Sequence, residues 1–356
     1  SALYANTTGT KNVAVGALAL DANTTGGYNT AIGQEALTKN TTASNNTSIG
    51  HYSMGSNTTG ANNVAVGYYA LDANTTASDL TAIGTGSLGA NTTGDRNSAF
   101  GSGALANNTT GEYNVACGYE ALEANTTSNS NTAVGHKALA NNTTGSANTG
   151  LGYNALTNQT TGGENTAVGR EALNAQQSVS GNTGVGYRAL FTNSTGIENV
   201  GVGASALESN TTGSTNTAVG WKALEATTTA DGNTAIGAYA LFTNTTGTEN
   251  NAFGKSALGA NTTGNYNNAF GREALRDNTT GDNNVAFGHE ALEDNTTANA
   301  NTAVGYRSLR LNTTGATNVA VGVWALYSNS TGSDCVAVGN GALYSNTVSN
   351  NTAVGS

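Results

Sequence analysis

Residues 12–28 read Asn12-Val13-Ala14-Val15-Gly16-Ala17-Leu18-Ala19-Leu20-Asp21-Ala22-Asn23-Thr24-Thr25-Gly26-Gly27-Tyr28. The stretch returns at fixed spacing along the chain. Gly16 recurs as Gly33, Gly50, Gly67, Gly84, Gly101 and so on to Gly339. Each step is 17 residues, with no insertion or deletion across 20 copies. Only the last step, to Gly355, is 16. With positions numbered 1 to 17 from Asn12, the unit is N-[TV]-A-[VIF]-G-x-x-[AS]-L-x-x-N-T-T-G-x-x. Strict self-similarity of this kind marks a repeat architecture.

Seventeen residues are too few for a helical-hairpin repeat, which takes more than about 30. They suit one turn of a β-solenoid. Positions 1 to 5, as in Asn301-Thr302-Ala303-Val304-Gly305, alternate and are rich in β-branched residues, which reads as a short strand. Asn-Thr-Thr-Gly at positions 12 to 15 reads as a turn, because Asn and Gly tolerate left-handed backbone. Ala-Leu at positions 8 and 9 is a second apolar element, either a strand or a single helical turn. The expected fold is therefore all-β, a parallel β-solenoid or β-roll of 17-residue coils. Each residue should stack on its equivalent ~4.8 Å away. About 21 coils at that spacing give a rod of roughly 100 Å. The chain starts and stops inside a unit, so residues 1–356 are expected to be one continuous array, a window of a longer fibre.

Composition narrows the function classes. The chain has 48 glycines, no proline, two cysteines and 10% charged residues. Collagen and disulfide scaffolds are excluded by that count. The net charge of −10 argues against nucleic acid or an anionic membrane as partner. No apolar run approaches the ~18 residues of a membrane span.

The charged residues fix the register. Lys11, Glu35, Lys39, Asp72, Arg96, Glu171, Arg276 and Asp334 fall at positions 6, 7, 10, 11, 16 or 17, as do all the others. Positions 1 to 5 and the Ala-Leu pair are then expected to be buried. The core ladder should comprise Leu20, Leu37, Leu71 and Leu173 at position 9, with Val15, Ile32 and Val66 at position 4. Positions 3 and 4 point to opposite strand faces, and neither carries charge. The small face, with Ala167, Ala218 and Ala303 at position 3, should pack against a second chain. A coil this poor in core suggests a homo-oligomer, with three chains favoured.

Sites of chemistry are few. His51, His136 and His289 share position 6 but lie at least five coils apart, too far to share a metal within one chain. Cys117, at position 4, and Cys335, at position 1, read as buried free thiols, some 13 coils apart. Aspartate is absent from the turn, so neither calcium structuring nor any other cofactor is expected. Nothing suggests a nucleophile with its base, and the chain reads as non-enzymatic. Asn at position 1 should hydrogen-bond along the array as an amide ladder.

The turn is more informative, because Asn-[Thr/Ser]-Thr is also an N-glycosylation acceptor. Candidate acceptors are Asn6, Asn23, Asn40, Asn57, Asn74, Asn91, Asn108, Asn125 and Asn142, then Asn193, Asn210, Asn244, Asn261, Asn278, Asn295, Asn312 and Asn329. Gln159-Thr160-Thr161 and Thr227-Thr228-Thr229 lose the Asn yet keep both threonines, so the Thr column has a role of its own. Turn chemistry alone and turn chemistry with added sugar both remain open. Aromatics such as Tyr68, Tyr119, Tyr153, Trp221, Tyr306 and Trp324 occupy exposed columns. They could stack on sugar rings or cover neighbouring side chains.

The strand motif, Asn63-Val64-Ala65-Val66-Gly67 or Asn46-Thr47-Ser48-Ile49-Gly50, resembles the N-S-V-A-I-G head repeats of YadA-like trimeric autotransporter adhesins. The longer unit, seen from Asn301 to Gly315, resembles repeats in phage tail-fibre proteins. The adhesin unit is usually shorter, about 14 residues. The resemblance implies a left-handed, trimeric β-roll at a cell or virion surface. The function expected is that of an extracellular fibre, the shaft or head of an adhesin or tail fibre, with self as partner. A cell-surface glycan or receptor would be held through a tip outside residues 1–356. Two alternatives are a secreted, glycosylated filament of a coat or matrix, and an ice-binding solenoid.

Overall fold

The computed structural model describes residues 1–356. It is an all-β parallel β-solenoid with one three-residue strand per coil and no helix, from β1 (Val13–Val15) and β2 (Thr30–Ile32) to β21 (Thr352–Val354). Two units are distinguished, Ser1–Ser180 and Gly181–Ser356. The first contains β1 to β10 (Thr166–Val168), the second β11 (Thr183–Val185) to β21. Within each, every strand pairs in parallel with the next at a register of one coil, as in Val13 opposite Thr30 and Thr217 opposite Thr234.

The backbone bonds run from coil to coil around most of the turn. The Val13 N–H donates to the Asn29 carbonyl at 2.8 Å, Leu20 to Ala36 at 3.0 Å and Thr24 to Thr41 at 2.8 Å. Positions 2, 9 and 13 thus anchor the coil at three separate places. Between them the chain turns by left-handed residues. Leu20, Glu35 and Tyr28, at positions 9, 7 and 17, have φ of 53°, 59° and 60°. Glycine is required at position 5: Gly33 has φ of 136°, and a Cβ there would lie 2.4 Å from the Gly50 carbonyl oxygen. The Ala-Leu element is therefore neither strand nor helix but the inward corner of this turn.

The interior holds positions 1, 3, 8, 9, 12 and 15. Leu20, Leu37, Leu71 and Leu173 are fully buried, as the sequence predicts. The two strand faces are reversed from that expectation. Ala167, Ala218 and Ala303 are closed off inside their own chain, so they pack against no second chain. Val15 and Ile32 are 56% and 38% exposed, and Val66 is only half-buried. The reason is the width of the coil. A Cβ built at position 3 of Gly201 lies 3.3 Å from Cγ of Leu190, so the Leu column leaves room opposite for one methyl group. A Val there would overfill the coil, and the larger residue of the strand faces outward. Cys117, at position 4, is accordingly exposed, whereas Cys335 is buried.

Candidate functional site

Two asparagine columns supply the polar half of the interior. At position 12, the Asn40 Nδ2 donates to Oδ1 of Asn23 one coil earlier at 2.9 Å and to the Ala43 carbonyl at 3.0 Å. The pattern repeats from Asn57 to Asn40 (3.1 Å), Asn108 to Asn91 (2.7 Å), Asn261 to Asn244 (2.8 Å) and Asn278 to Asn261 (2.8 Å). At position 1, Oδ1 of Asn12 accepts the Asn29 backbone N–H at 2.9 Å, while Asn29 Nδ2 donates to the Ala43 carbonyl at 2.9 Å. That carbonyl, at position 15, accepts one amide from each column and ties them together. Leu80 and Cys335, which replace Asn at position 1, still donate their backbone N–H to Asn63 and Asn318.

This geometry corrects the reading of the turn as a sugar acceptor. Asn23, Asn40, Asn57, Asn74, Asn91, Asn108, Asn125 and Asn142 are fully buried, as are Asn193, Asn210, Asn244, Asn261, Asn278, Asn295, Asn312 and Asn329. Asn6, in the first partial coil, is half-buried and donates to the Gly9 carbonyl at 3.0 Å. An N-linked sugar would have to replace an amide hydrogen inside the coil, where no space exists. The ladder is cut where Asn is missing, since Oδ1 of Asn142, before Gln159, and of Asn210, before Thr227, find no partner; it is also open at Asn74, Asn312 and Asn329, although an Asn follows each. The Thr227 hydroxyl turns instead to the Asn244 carbonyl at 3.1 Å. Thr24 Oγ1 likewise donates to the Thr41 carbonyl at 3.0 Å, so the position 13 hydroxyls are stapled to the next coil rather than free to order water. Sequence reasoning had a usable signal here, since a residue opening an exposed turn has no reason to remain Asn in nearly every coil.

The outer face of the strands is the most extended surface feature. Position 4 presents Ile83, Phe100, Leu151, Val219, Ile236 and Phe287 to solvent. Phe253 and Phe270 stack in adjacent coils with ring centroids 4.7 Å apart and planes within 6°. Position 2 adds Val13, Val115 and Val285. No charge interrupts these two columns.

The charged side chains stand at positions 6, 7, 10, 11, 16 and 17. His136 is stacked between Tyr119 and Tyr153 at 5.3 and 5.2 Å, and His51 stacks on Tyr68 at 5.5 Å. One ion network is partly internal. Glu290 accepts from Nε of Arg307 at 2.6 Å, and Glu293 accepts from Nε of Arg310 at 2.6 Å and also pairs with Arg276. The Arg307 hydrogen bond holds Glu290 below the usual carboxylate range. Burial pushes Glu293 above it despite its two arginines. No group of three or more His, Cys, Asp or Glu converges to hold a metal ion, and no helix is long and apolar enough to cross a membrane.

No protein-family model matches the chain, and no curated protein matches it.

Proposed function

We propose that the chain is a structural element of an extracellular fibre at a cell or virion surface, non-enzymatic, built by lateral association of copies of itself. The observation that carries this reading is the uncharged outer face, repeated in every coil, with Val, Ile or Phe at position 4 in all but the Cys117 and Leu151 coils and Thr or Val at position 2 in most. Soluble monomers rarely leave a contiguous apolar patch beyond a few hundred Å² open to water. Such a flat sheet face suits a copy of itself, because both partners would carry the same spacing. A left-handed trimer in the manner of the YadA-like heads satisfies this, with three faces turned to a common axis.

The coil itself supports a mechanical role. Its hydrogen bonds run along the array, and both amide columns add to them. Pulling along that direction loads many parallel bonds at once. The burial of the position 12 asparagines weighs against the glycosylated filament, and the stapling of the position 13 hydroxyls, which leaves a single Thr column at position 14 open to water, weighs against the ice binder. Sedimentation of the purified chain tests the reading, with Ile236→Asp and Phe270→Asp as variants. The wild type should sediment as a trimer and the variants as folded monomers. A wild-type monomer at micromolar concentration would sink it.

A further inference from the structure

Position 10 carries a column of side chains along the second unit, and one rung is missing. Phe242 is followed one coil on by Gly259, and then by Arg276, Glu293, Arg310 and Tyr327. The gap at Gly259 opens a cavity of about 290 Å³ lined by Tyr239, Phe242, Thr243, Ser256, Ala260 and Arg276. The notch is open to solvent on its outer side, and its volume exceeds the ~150 Å³ that accommodates a benzene ring. At Gly55, an earlier glycine of this column, a Cβ would instead meet the Tyr52 ring at 2.7 Å.

We infer that this notch binds a neutral aromatic ring, which takes the place of the missing rung between Phe242 and the Arg276 guanidinium. Spacing is the first argument. Neighbouring rungs lie one coil apart, ~4.8 Å, and where both are aromatic they stack, as Tyr327 and Tyr344 do with centroids 5.1 Å apart and planes within 9°. A flat ring at the level of Gly259 meets Phe242 on one side and Arg276 on the other at that same spacing. Tyr239 stands edge-on to Phe242, with centroids 5.2 Å apart, and closes a third side. Aromatic pairs and guanidinium-on-ring contacts are each favourable in such geometry.

Charge and hydrogen bonding exclude the other small occupants. Arg276 gives Nε and Nη2 to the two Asp277 oxygens, each at 2.8 Å, and Nη1 to Glu293. Its edges are spent and its charge is neutralised, so it does not call for an anion. Its flat faces remain, and these are what a ring uses. The Thr243 hydroxyl already donates to the Gly259 and Asn261 carbonyls at 3.0 and 3.1 Å. The Gly259 and Ala260 N–H groups go to Ser256 and Arg276 carbonyls at 3.2 and 2.8 Å. Of the lining hydroxyls only those of Ser256 and Tyr239 make no hydrogen bond, too few for the several hydroxyls of a sugar ring, and leaving the rest unpaired against the rings is costly. The notch belongs to one chain, so it stands or falls independently of self-association.

The test is saturation-transfer NMR with phenol, indole and N-acetyltyrosinamide, and methyl α-glucoside as the contrast. The aromatic probes should bind saturably at about millimolar Kd, as befits so few atoms, and the glucoside should not. Gly259→Phe supplies the rung from the chain itself and should weaken aromatic binding at least tenfold. Phe occupies the same position at Phe191 and Phe242, and Gly259 needs no left-handed backbone, so the variant should fold. Phe242→Ala should weaken binding as well. Tighter binding of the tyrosinamide than of phenol would mark a polypeptide side chain as the occupant; the reverse order would mark a free arene. Absence of saturable aromatic binding, glucoside binding of equal strength, or unchanged binding in Gly259→Phe would each overturn the assignment.

Discussion

Asn29 and Asn40 direct their Nδ2 groups at one oxygen, the Ala43 carbonyl, at 2.9 and 3.0 Å. One amide comes from the strand of its coil and the other from the turn of its own repeat. The pair explains why both positions keep Asn. Each is a buried polar group that also needs the neighbouring coil, where Oδ1 of Asn29 accepts the Asn46 N–H at 3.0 Å and Nδ2 of Asn40 donates to Oδ1 of Asn23 at 2.9 Å.

The first prediction follows from cuts in that ladder. Asn261→Ala removes a donor to Asn244, a donor to Gly264 and an acceptor for Asn278. Orphaned buried groups cost about 1–3 kcal/mol each, and local hydrogen exchange in those coils should rise accordingly. Thr227→Asn should act in the opposite sense, giving the orphaned Asn210 Oδ1 its donor and slowing exchange there.

A second concerns the two strand faces. Ala218→Phe places a ring where one methyl fits, and Leu173→Asp buries an unpaired charge; both should cost several kcal/mol. Val219→Asp, one residue from Ala218, should leave the coil intact because its side chain faces out. Equal thermal loss in Ala218→Phe and Val219→Asp would refute the assignment of inside and outside.

Exposed Cys117 reports on association. It lies on the apolar face between Phe100 and Val134 in the position 4 column. If copies meet through that face in register, mild oxidation should yield a disulfide-linked dimer, since two such thiols come within bonding reach. Cys117→Ser should abolish it while Cys335→Ser should not. A monomer after oxidation, with the association itself intact, would show that the faces meet out of register.

The two glutamates of one coil should respond oppositely to pH. Glu290 holds its proton less tightly folded than unfolded. Its contribution is full above the usual value of 4.5 and is lost as pH falls through the lowered folded value. Glu293 holds its proton more tightly folded, so its cost appears as pH rises through 4.5 toward its raised folded value. Glu290→Gln should therefore be more damaging at pH 7 than at pH 3, and Glu293→Gln less damaging at pH 7 than at pH 3. Thermal unfolding of both variants at the two pH values checks the signs.

The last prediction concerns sugar. Glycopeptide mass spectrometry across 193–263 should find Asn193, Asn210, Asn244 and Asn261 bare. A glycan on any of the four in folded protein would contradict the closed ladder.

The period, the parallel coil and the Leu column were legible because insertion-free repetition and the confinement of charge admit few alternatives. The inner face of the strand was not. Ala and Val alternate there, and size alone suggests the larger residue inside. The coil is too narrow for that, as the 3.3 Å approach to Leu190 shows, and width is a three-dimensional quantity that no single unit encodes. The position 12 asparagines were misread for a related cause. A turn motif implies exposure when isolated, but stacking closes a turn from above and below. The notch was invisible because one glycine among 48 carries no mark of its neighbours one coil away on either side.

The interchangeability of coils has a genetic consequence. Every interior bond joins one position of the unit to a fixed position of the same or the adjoining unit, so removing or duplicating one whole unit of 17 codons leaves each remaining interior position with a partner of the same kind. Misaligned recombination between such near-identical segments produces just these changes. Length in such an array is therefore a quantity that inheritance can alter in steps without remaking the fold, whereas a slip of any other size meets selection at once.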